Sequence, residues 1–368
     1  MGFINGFICK QITLTTEDRI YTYLKNEIHL SDLVNCLGNT HVSLNLDFLK
    51  ELLRNASGTE HPAIDRSFVE NIGGTFNENA KNYNSINTWL QGKSTIPFNK
   101  LIKIVALSSF SLNDIENNVI SIKCGPRKGE IYPKFPLRID DKLGGIVGHI
   151  MGDGSICEKY NQVFFCNKNR ELLDEFRIQI KYIFGIEPRI WAQVPVYGRT
   201  SWEKRVYSIR EIPENYIGGL FYPRICGLVL HKIFGKFANG RNKIITNEIR
   251  NANNSFKKGF LRAMFDDEGS ANSSSHMLKM HQDNVQILEN LRNMLSEFGI
   301  NTNPIRTYFK RNKARHTFSI TGFKNYYNFN KVIGFSSSKK EMELRTLIKK
   351  VEKSKFFKKK FALPIYSE

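Results

Sequence analysis

Apolar and polar positions repeat in the same order along two stretches of this chain. The first stretch predicts a helix over 141–152, a strand over 162–166, a helix over 169–184, strands over 189–196 and 205–210, and a helix over 214–234. The second predicts a helix over 256–267, a strand over 276–281, a helix over 284–298, strands over 304–309 and 316–321, and a helix over 323–332. Each copy ends its second helix in Phe-Gly-Ile, at 184–186 and 298–300. The shared order and terminator predict a duplicated α+β unit.

The first third of the chain predicts short helices. Helix candidates cover 16–24, 46–54 and 85–91, and another follows Pro97, a residue suited to the first turn of a helix. Trp89, Gly92 and Pro97 resemble the end of a phage-repressor-like helix-turn-helix domain, whereas a helical bundle without DNA contact is the alternative. We predict a helical, helix-turn-helix-like domain over 1–124, a first repeat over 125–239, and a second repeat with a basic C-terminal helix over 240–368.

Small residues recur every fourth position along the helix predicted over 141–152. Gly144, Gly148 and Gly152 form one stripe on such a helix, and Ala263 gives the second repeated helix a small residue at the matching position. A glycine inside a helix costs about 0.5–1 kcal/mol relative to alanine, so the stripe needs a compensating contact. We predict that Gly144, Gly148 and Ala263 lie where the two repeated helices pack together.

An acidic residue stands at the C-terminal end of each repeated helix, as Asp153-Gly154-Ser155 and Glu268-Gly269-Ser270. A helix C-terminus carries a partial negative charge, which disfavours a carboxylate there. Two such ends brought together would concentrate negative charge, and a hard divalent cation such as Mg²⁺ is the usual compensation. The alternative is a pair of solvated carboxylates that cap exposed turns.

The charge of the chain favours a polyanionic partner. It contains 54 Lys and Arg against 35 Asp and Glu, a formal net charge of +19. The excess lies in the C-terminal two thirds, because residues 1–120 hold 10 basic and 12 acidic residues. Nucleic acid is the first candidate and an anionic membrane surface the second. The sequence contains no apolar stretch of about 18 residues and no secretory leader, and its cysteines form no Cys-x-x-Cys pair. We expect a soluble, cytoplasmic protein that binds DNA or RNA and no membrane.

The two repeated helices carry a motif that is similar to that of the LAGLIDADG homing endonucleases. Residues 146–154 and 261–269 align with its nine positions, and the resemblance extends over 137–345. Met151 and His149 depart from the motif in the first copy, at an earlier acidic position and an apolar position, but neither is the metal-binding position. The resemblance implies a duplicated LAGLIDADG fold of class α+β, with two pseudo-symmetric repeats whose β-sheets form a saddle over DNA. The small, mostly α-helical domain would precede it.

The resemblance also implies the residues of the site. Asp153 and Glu268 become the catalytic carboxylates and the ligands of Mg²⁺ or Mn²⁺, with Gly152 and Asp267 beside them in the metal site. Lys243 and Lys340 are carried over as catalytic lysines, although a plain surface lysine is the default in so basic a protein.

DNA contacts are expected from the strands of the saddle, with alternate residues facing the groove. The candidates are Arg189, Gln193, Arg199, Lys204, Arg210, Lys279, Arg306, Lys310, Arg311, Lys313 and Arg315. Any one of them could equally be a solvated charge on a strand.

The resemblance implies a monomeric, metal-dependent endonuclease that cuts both strands of double-stranded DNA at a long asymmetric site. The alternatives are a noncatalytic DNA-binding regulator and an RNA splicing maturase on the same fold, which would add an intron RNA as partner. An intein is disfavoured, because the sequence starts with Met1 and ends without a His-Asn pair.

Overall fold

The computed structural model describes residues 26–62, 65–73, 85–124, 129–193, 204–240, 242–310 and 313–353. The helix predicted over 16–24 and the basic segment 354–368 lie outside this part of the chain.

The N-terminal part combines helices with a small sheet. Its helices are α1 (Leu30–Leu37), α2 (Leu46–Ser57), α3 (Arg66–Asn71), α4 (Ser85–Leu90), α5 (Phe98–Ala106) and α6 (Leu112–Glu116). Its strands are β1 (Glu27–Ile28), β2 (His41–Leu44), β3 (Ile96–Pro97), β4 (Val119–Lys123), β5 (Glu130–Ile131) and β6 (Leu137–Arg138). An antiparallel sheet has the order β3-β2-β4-β5, and β1 pairs with β6. The sequence prediction missed this sheet because strands this short show no clear alternation.

The predicted boundary between residues 124 and 125 falls between two paired strands. Ile122 of β4 lies opposite Ile131 of β5, and Glu27 of β1 lies opposite Arg138 of β6. Two strand pairs therefore join the N-terminal part to the first repeat, and the division into three domains stays a prediction.

Two copies of one unit follow. The first consists of α7 (Asp141–Met151), β7 (Gly154–Ile156), β8 (Val163–Asn167), α8 (Arg170–Phe184), β9 (Arg189–Gln193), β10 (Lys204–Val206), a 3₁₀ turn (Ile209–Glu211), β11 (Ile217–Tyr222) and α9 (Arg224–Phe234). A connection holds β12 (Ala238–Asn239), β13 (Asn242–Lys243) and α10 (Asn247–Asn251). The second copy consists of α11 (Asn254–Glu268), β14 (Gly269–Asn272), β15 (Met277–Gln282), α12 (Val285–Glu297), β16 (Arg306–Lys310), β17 (Lys313–Ile320) and α13 (Phe323–Val332), and α14 (Ser338–Lys353) follows it.

The sheets of the two copies have the same antiparallel order. The first is β10-β9-β11-β8-β7 and the second is β16-β17-β15-β14, so every strand except β10 has a counterpart. The duplicated α+β fold predicted from the sequence is confirmed. The strand β10 and the 3₁₀ turn after it make the first copy the larger one.

Caps and glycines set the ends of the second helix in each copy. The side chains of Asn169 and Asn284 each accept a hydrogen bond from the backbone N–H two residues later. Gly185 and Gly299, in the two Phe-Gly-Ile segments, have φ angles of +66° and +68°. Glycine reaches this left-handed region without strain, so the repeated terminator ends the helix through its backbone.

Alternation along the strands gives each sheet a buried face and an open face. Val163 and Phe165 of β8 and Leu278 and Met280 of β15 are buried in the core. The residues between them are only partly buried. Each sheet therefore packs one face into the core and presents the other outward.

Four segments of the two copies differ from the sequence prediction. The sequence prediction omitted two strands: β7, which follows α7, and β14, which follows α11. The helix predicted over 214–234 divides into β11 and α9 at Pro223, because a continuous apolar run does not distinguish a strand from a helix. The strand predicted over 205–210 is β10 plus the 3₁₀ turn. No helix within the described ranges is long and apolar enough to cross a membrane.

Candidate functional site

The helices α7 and α11, here called the motif helices, pack with their backbones in contact. A Cβ atom added at Gly144 would lie 2.0 Å from the carbonyl oxygen of Phe256. One added at Gly148 would lie 2.6 Å from the carbonyl oxygen of Phe260 and 2.8 Å from Cβ of Ala263. The structure thus places the three predicted interface residues at this contact.

Gly259, which the sequence analysis did not name, is part of the same contact. A Cβ atom there would lie only 1.8 Å from the carbonyl oxygen of Asp141. Small residues on both motif helices therefore let the two backbones approach.

The motif helices end beside each other and deliver Asp153 and Glu268 to one site. Asn167 donates a hydrogen bond of 2.9 Å to the Asp153 carboxylate. Asp153 is exposed to solvent, yet crowding by protein atoms and the negative charges of Asp267 and Glu268 raise the pKa of its carboxyl to about 7. Desolvation also raises the pKa of Glu268, while Lys243 opposes that shift. Two carboxylates thus share a site that disfavours their negative charges.

Two lysines bind the C-terminal ends of the motif helices. Lys243, at the end of β13, donates a hydrogen bond to the carbonyl oxygen of Gly152. Lys340 of α14 donates to the carbonyl oxygens of Phe265 at 3.1 Å, Gly269 at 2.7 Å and Asp266. Burial lowers the pKa of both lysines, and the nearby carboxylates oppose that shift. The lysines place positive charge where the helix dipoles and the carboxylates are negative.

A buried pair that the sequence analysis did not predict lies directly behind the carboxylates. Nδ1 of His149 lies 3.1 Å from Oδ2 of Asp267, and both side chains are fully buried. Burial by itself would lower the pKa of His149, but Asp267 and Glu175 raise it to about 10. Asp267 also accepts a hydrogen bond of 3.3 Å from the backbone N–H of Asp153. The signal in the sequence was a histidine at an apolar position of the motif.

Asp266 organises the other side of the site. Its carboxylate accepts hydrogen bonds from the backbone N–H groups of Ser336 and Ser337, at 2.9 and 3.1 Å. These residues directly precede α14, which carries Lys340. Asp266 therefore fixes the helix that returns Lys340 to the end of α11.

The metal ligands predicted from the sequence have different environments. Asp153 and Glu268 offer carboxylate oxygens to the shared site. The Asp267 carboxylate is engaged with His149 and the Asp153 backbone, and the Gly152 carbonyl accepts from Lys243, so both groups already have partners within the protein. Within the described residues, no group of three or more His, Cys, Asp or Glu has the geometry of a metal site.

The open face of the first sheet carries part of the predicted DNA contacts. Arg189 is exposed and Gln193 is half-buried, and both share the open face of β9 with Trp191. Arg205, which the sequence analysis did not name, lies opposite Trp191. Arg210 is exposed on the 3₁₀ turn beside α8, away from that face, since the predicted strand ends at Val206. Arg199 lies outside the described residues, and Lys204 is described only as a member of β10.

The open face of the second sheet carries three of the other predicted contacts. Lys279 alternates with buried Leu278 and Met280, and Arg306 and Arg315 lie on the same face by register. Arg315 is hydrogen-bonded to Asp283. Lys310 and Lys313 are described only as members of β16 and β17, and Arg311 lies outside the described residues.

A cavity of about 860 Å³ connects Glu268 to this second sheet. Lys243 and Asn242 form one side of it, and Gln282, Asp283 and Arg315 form another. The site therefore opens toward the face on which the basic residues lie.

Comparisons with known proteins match parts of this chain. Residues 255–334 match the family model of a LAGLIDADG-like domain. Over 225 residues the chain is 24% identical to glutamine--fructose-6-phosphate aminotransferase [isomerizing] of Methanocaldococcus jannaschii, and the match covers 60% of this chain and 18% of that relative. This chain thus spans less than a fifth of that protein.

Two solved structures show partial similarity. The homing endonuclease I-DmoI in complex with DNA and Mn is 15% identical, with a TM-score of 0.36 over 55% of this chain and 99% of I-DmoI. Full-length WhiA from Thermatoga maritima is 18% identical, with a TM-score of 0.37 over 58% of this chain and 61% of WhiA. The segment 255–334, which matches the LAGLIDADG-like domain, begins in the second motif helix and extends through the second sheet and α13.

Proposed function

We propose that this protein is a metal-dependent endonuclease that hydrolyses phosphodiester bonds in both strands of a long, asymmetric DNA site. The observation that carries the proposal is the convergence of Asp153 and Glu268 at the ends of two packed motif helices. Lys243 and Lys340 bind those same helix ends. Carboxylates with raised pKa values and a pair of flanking lysines at one site are typical of catalytic centres.

The donor atoms at this site suit a hard divalent cation. Asp153 and Glu268 offer carboxylate oxygens, the ligands that Mg²⁺ and Mn²⁺ prefer. Desolvation, and then repulsion from Asp267 and Glu268, raise the pKa of the Asp153 carboxyl to about 7. A bound cation would relieve that repulsion. When bound there, the metal would activate a water and neutralise charge on the phosphate.

The protein's own residues would do the remaining work. Asn167 orients the Asp153 carboxylate through its hydrogen bond of 2.9 Å. Lys243 and Lys340 hold the two helix ends in place and put positive charge beside the position of the scissile phosphates. Such a fixed charge stabilises the transition state more than a mobile one, because it needs no reorganisation.

The open sheet faces would hold the DNA. Arg189, Gln193, Lys279, Arg306 and Arg315 lie on these faces, and the chain has a net charge of +19. Most such contacts reach phosphates and fix the position of the duplex, while a few read bases. Because the first sheet has β10 in addition, the two halves would contact unequal half-sites, which supports an asymmetric target and a single chain as the active form.

The N-terminal part would add an accessory contact to flanking DNA. Trp89 and Pro97 belong to the segment in which α4 is followed by β3 and α5, the two helices expected of a helix-turn-helix. Residues 1–120 carry no excess of positive charge, which supports a minor electrostatic share for this part.

Metal-dependent linearisation of a plasmid tests the proposal. The plasmid carries the DNA that flanks the gene, rejoined without the gene, and a matched plasmid lacks that insert. We expect Mg²⁺ or Mn²⁺ to give one double-strand cut in the first plasmid only, and a chelator to prevent it. Tight binding of the insert without any cut would favour a noncatalytic regulator, and tight binding of a host intron RNA would favour a maturase.

A further inference from the structure

A second cavity lies in the first copy, far along the sheet from the carboxylates. Its volume is about 670 Å³, within the range of about 300–1,000 Å³ usual for small-ligand sites. Asn167, at the C-terminal end of β8, is bonded to Asp153, whereas Gln162, before the other end of β8, lines this cavity. The cavity and the proposed cleavage site therefore lie at opposite ends of one strand.

Aromatic side chains form much of its apolar wall. Trp191 of β9 and Phe221 of β11 line it from the open face of the sheet and are only half-buried. The Phe221 ring packs against Phe164, with ring centroids 4.6 Å apart. Tyr132 and Tyr160 line the cavity while 48% and 52% exposed. Four large rings thus line a surface that faces outward, and Phe221 is already packed against Phe164.

Three exposed arginines surround these rings. Arg189, Arg205 and Arg224 line the cavity, and no carboxylate among the described residues forms an ion pair with them. Two carboxylates also line it. Glu187 is paired with Arg177 at 3.1 Å and with Lys181 at 2.7 Å, and Glu130 accepts hydrogen bonds from Ser121 and, at 3.3 Å, from Tyr132. Arg205 lies 5.8 Å from the ring centroid of Tyr207. The cavity therefore combines aromatic rings with arginines that form no ion pair with a carboxylate among the described residues.

An unpaired nucleotide matches both features. Aromatic side chains stack on the faces of bases, and arginines bind the adjacent phosphates. A base within a duplex presents only its edges in the grooves, so its face reaches such a wall only when the base is out of the stack.

We propose that this cavity binds an unpaired nucleotide of the DNA, with the base against Trp191 and Tyr160 and the phosphate on the arginines. The proposal rests on the part of the proposed function that names DNA as partner, and it does not depend on cleavage. The end of the first sheet that is distant from Asp153 would then bind a single-stranded nucleotide, and the rest of the open face would contact the duplex.

Binding of fluorescent oligothymidine measures this site directly. The probes are a ten-residue single strand of dT and the matching dT–dA duplex, both at one fixed salt concentration and without divalent metal. We expect Tyr160→Ala and Arg224→Gln, both at exposed positions, to weaken binding of the single strand by about fivefold or more, the lower end of the effect of losing one stacked base. Binding of the duplex should change by less than about twofold, because salt-dependent phosphate contacts elsewhere supply it.

Tyr308→Ala is the matched control, since Tyr308 is a partly exposed aromatic residue of the second sheet and lines no part of this cavity. Trp191→Phe should keep most of the single-strand affinity, whereas Trp191→Leu should lose it. Equal effects of Tyr160→Ala and Tyr308→Ala would overturn the proposal. Tighter binding of oligouridine than of oligothymidine, lost in the Tyr160→Ala variant, would also overturn it, because the cavity would then bind RNA and not DNA. Single-strand binding by a protein that cuts no DNA would support the cavity and overturn only the nuclease.

Discussion

His149 and Asp267 form a buried ion pair that links the two motif helices, with Nδ1 of the histidine 3.1 Å from Oδ2 of the aspartate. Oδ2 of Asp267 also accepts the backbone N–H of Asp153 at 3.3 Å. Nε2 of His149 lies 3.8 Å from Glu175. One pair thus connects the helix of the first repeat, the helix of the second and the backbone of a proposed catalytic residue.

His149→Leu is expected to destabilise the protein by about 3–5 kcal/mol, because it leaves the Asp267 carboxylate buried without its cation. Chemical denaturation at pH 7 measures the free energy of unfolding. The double variant His149→Leu with Asp267→Leu should recover much of that loss, since it removes both charges. A single variant as stable as the natural protein would show that the pair contributes nothing.

The contribution of His149 to the stability of the metal-free protein should be lost as the pH rises from 7 to 10. The pKa of His149 is about 10 in the folded protein and 6.5 in the reference state, so the folded state retains a proton that the unfolded state loses in this interval. The stabilisation is complete below about 6.5 and is lost as the pH rises through 10. The raised pKa of Asp153, about 7, makes stability fall as the pH rises from 3.8 to 7, and this contribution stays constant above pH 7. Denaturation curves of the natural protein and of the double variant are measured at several pH values. The difference between their free energies of unfolding should shrink from pH 7 to pH 10, because the double variant lacks the contribution of His149.

Asp153→Asn and Glu268→Gln should each abolish double-strand cleavage and change DNA affinity by less than about tenfold, because phosphate contacts elsewhere supply most of the affinity. Gel-based cleavage and binding assays at one salt concentration measure both quantities. Glu289→Gln, at an exposed position of α12, is the control and should cut at the natural rate. Normal cleavage by either carboxylate variant would refute its catalytic role.

Gly148→Leu should destabilise the protein by more than the 1–3 kcal/mol typical of an overpacked core, because backbone atoms cannot move aside as side chains do. A Cβ atom alone would lie 2.6 Å from the Phe260 carbonyl oxygen. Gly38→Leu is the matched control, since nothing lies within 4 Å of a Cβ atom there. Thermal melting compares the two, and equal melting temperatures would mean that the motif helices are not held by this contact.

Removal of residues 1–124 should leave a folded protein that still cuts its site but is less stable and binds long flanking DNA more weakly. Both motif helices and both sheets of the repeats remain, whereas β5 and β6 lose their partner strands. Circular dichroism, cleavage rate and dissociation constant at one salt concentration measure the three effects. A folded but inactive product would show that the proposed site is not self-contained.

The sequence was sufficient to predict the duplication and the residues that mark it. The glycine stripe, the acidic helix ends and the two Phe-Gly-Ile terminators are local patterns, and each reflects a physical requirement of the chain near it: close backbone approach, exposed charge or a positive φ angle. Lys243 and Lys340 came from the family resemblance, and the structure brings both to the motif-helix ends.

Other features depend on residues that are far apart in the sequence. The strand β2 pairs with β3 and β4, which lie more than 50 residues away in the sequence, and no alternation within strands of two to five residues signals this sheet. The local sequence marks His149 only as a departure from an apolar pattern. Its partner Asp267 lies 118 positions away, and only the packing of α7 on α11 brings the two charges together. The same packing decides that Asp267 faces inward to His149 while its neighbour Glu268 faces the shared site, since consecutive residues on a helix point in different directions.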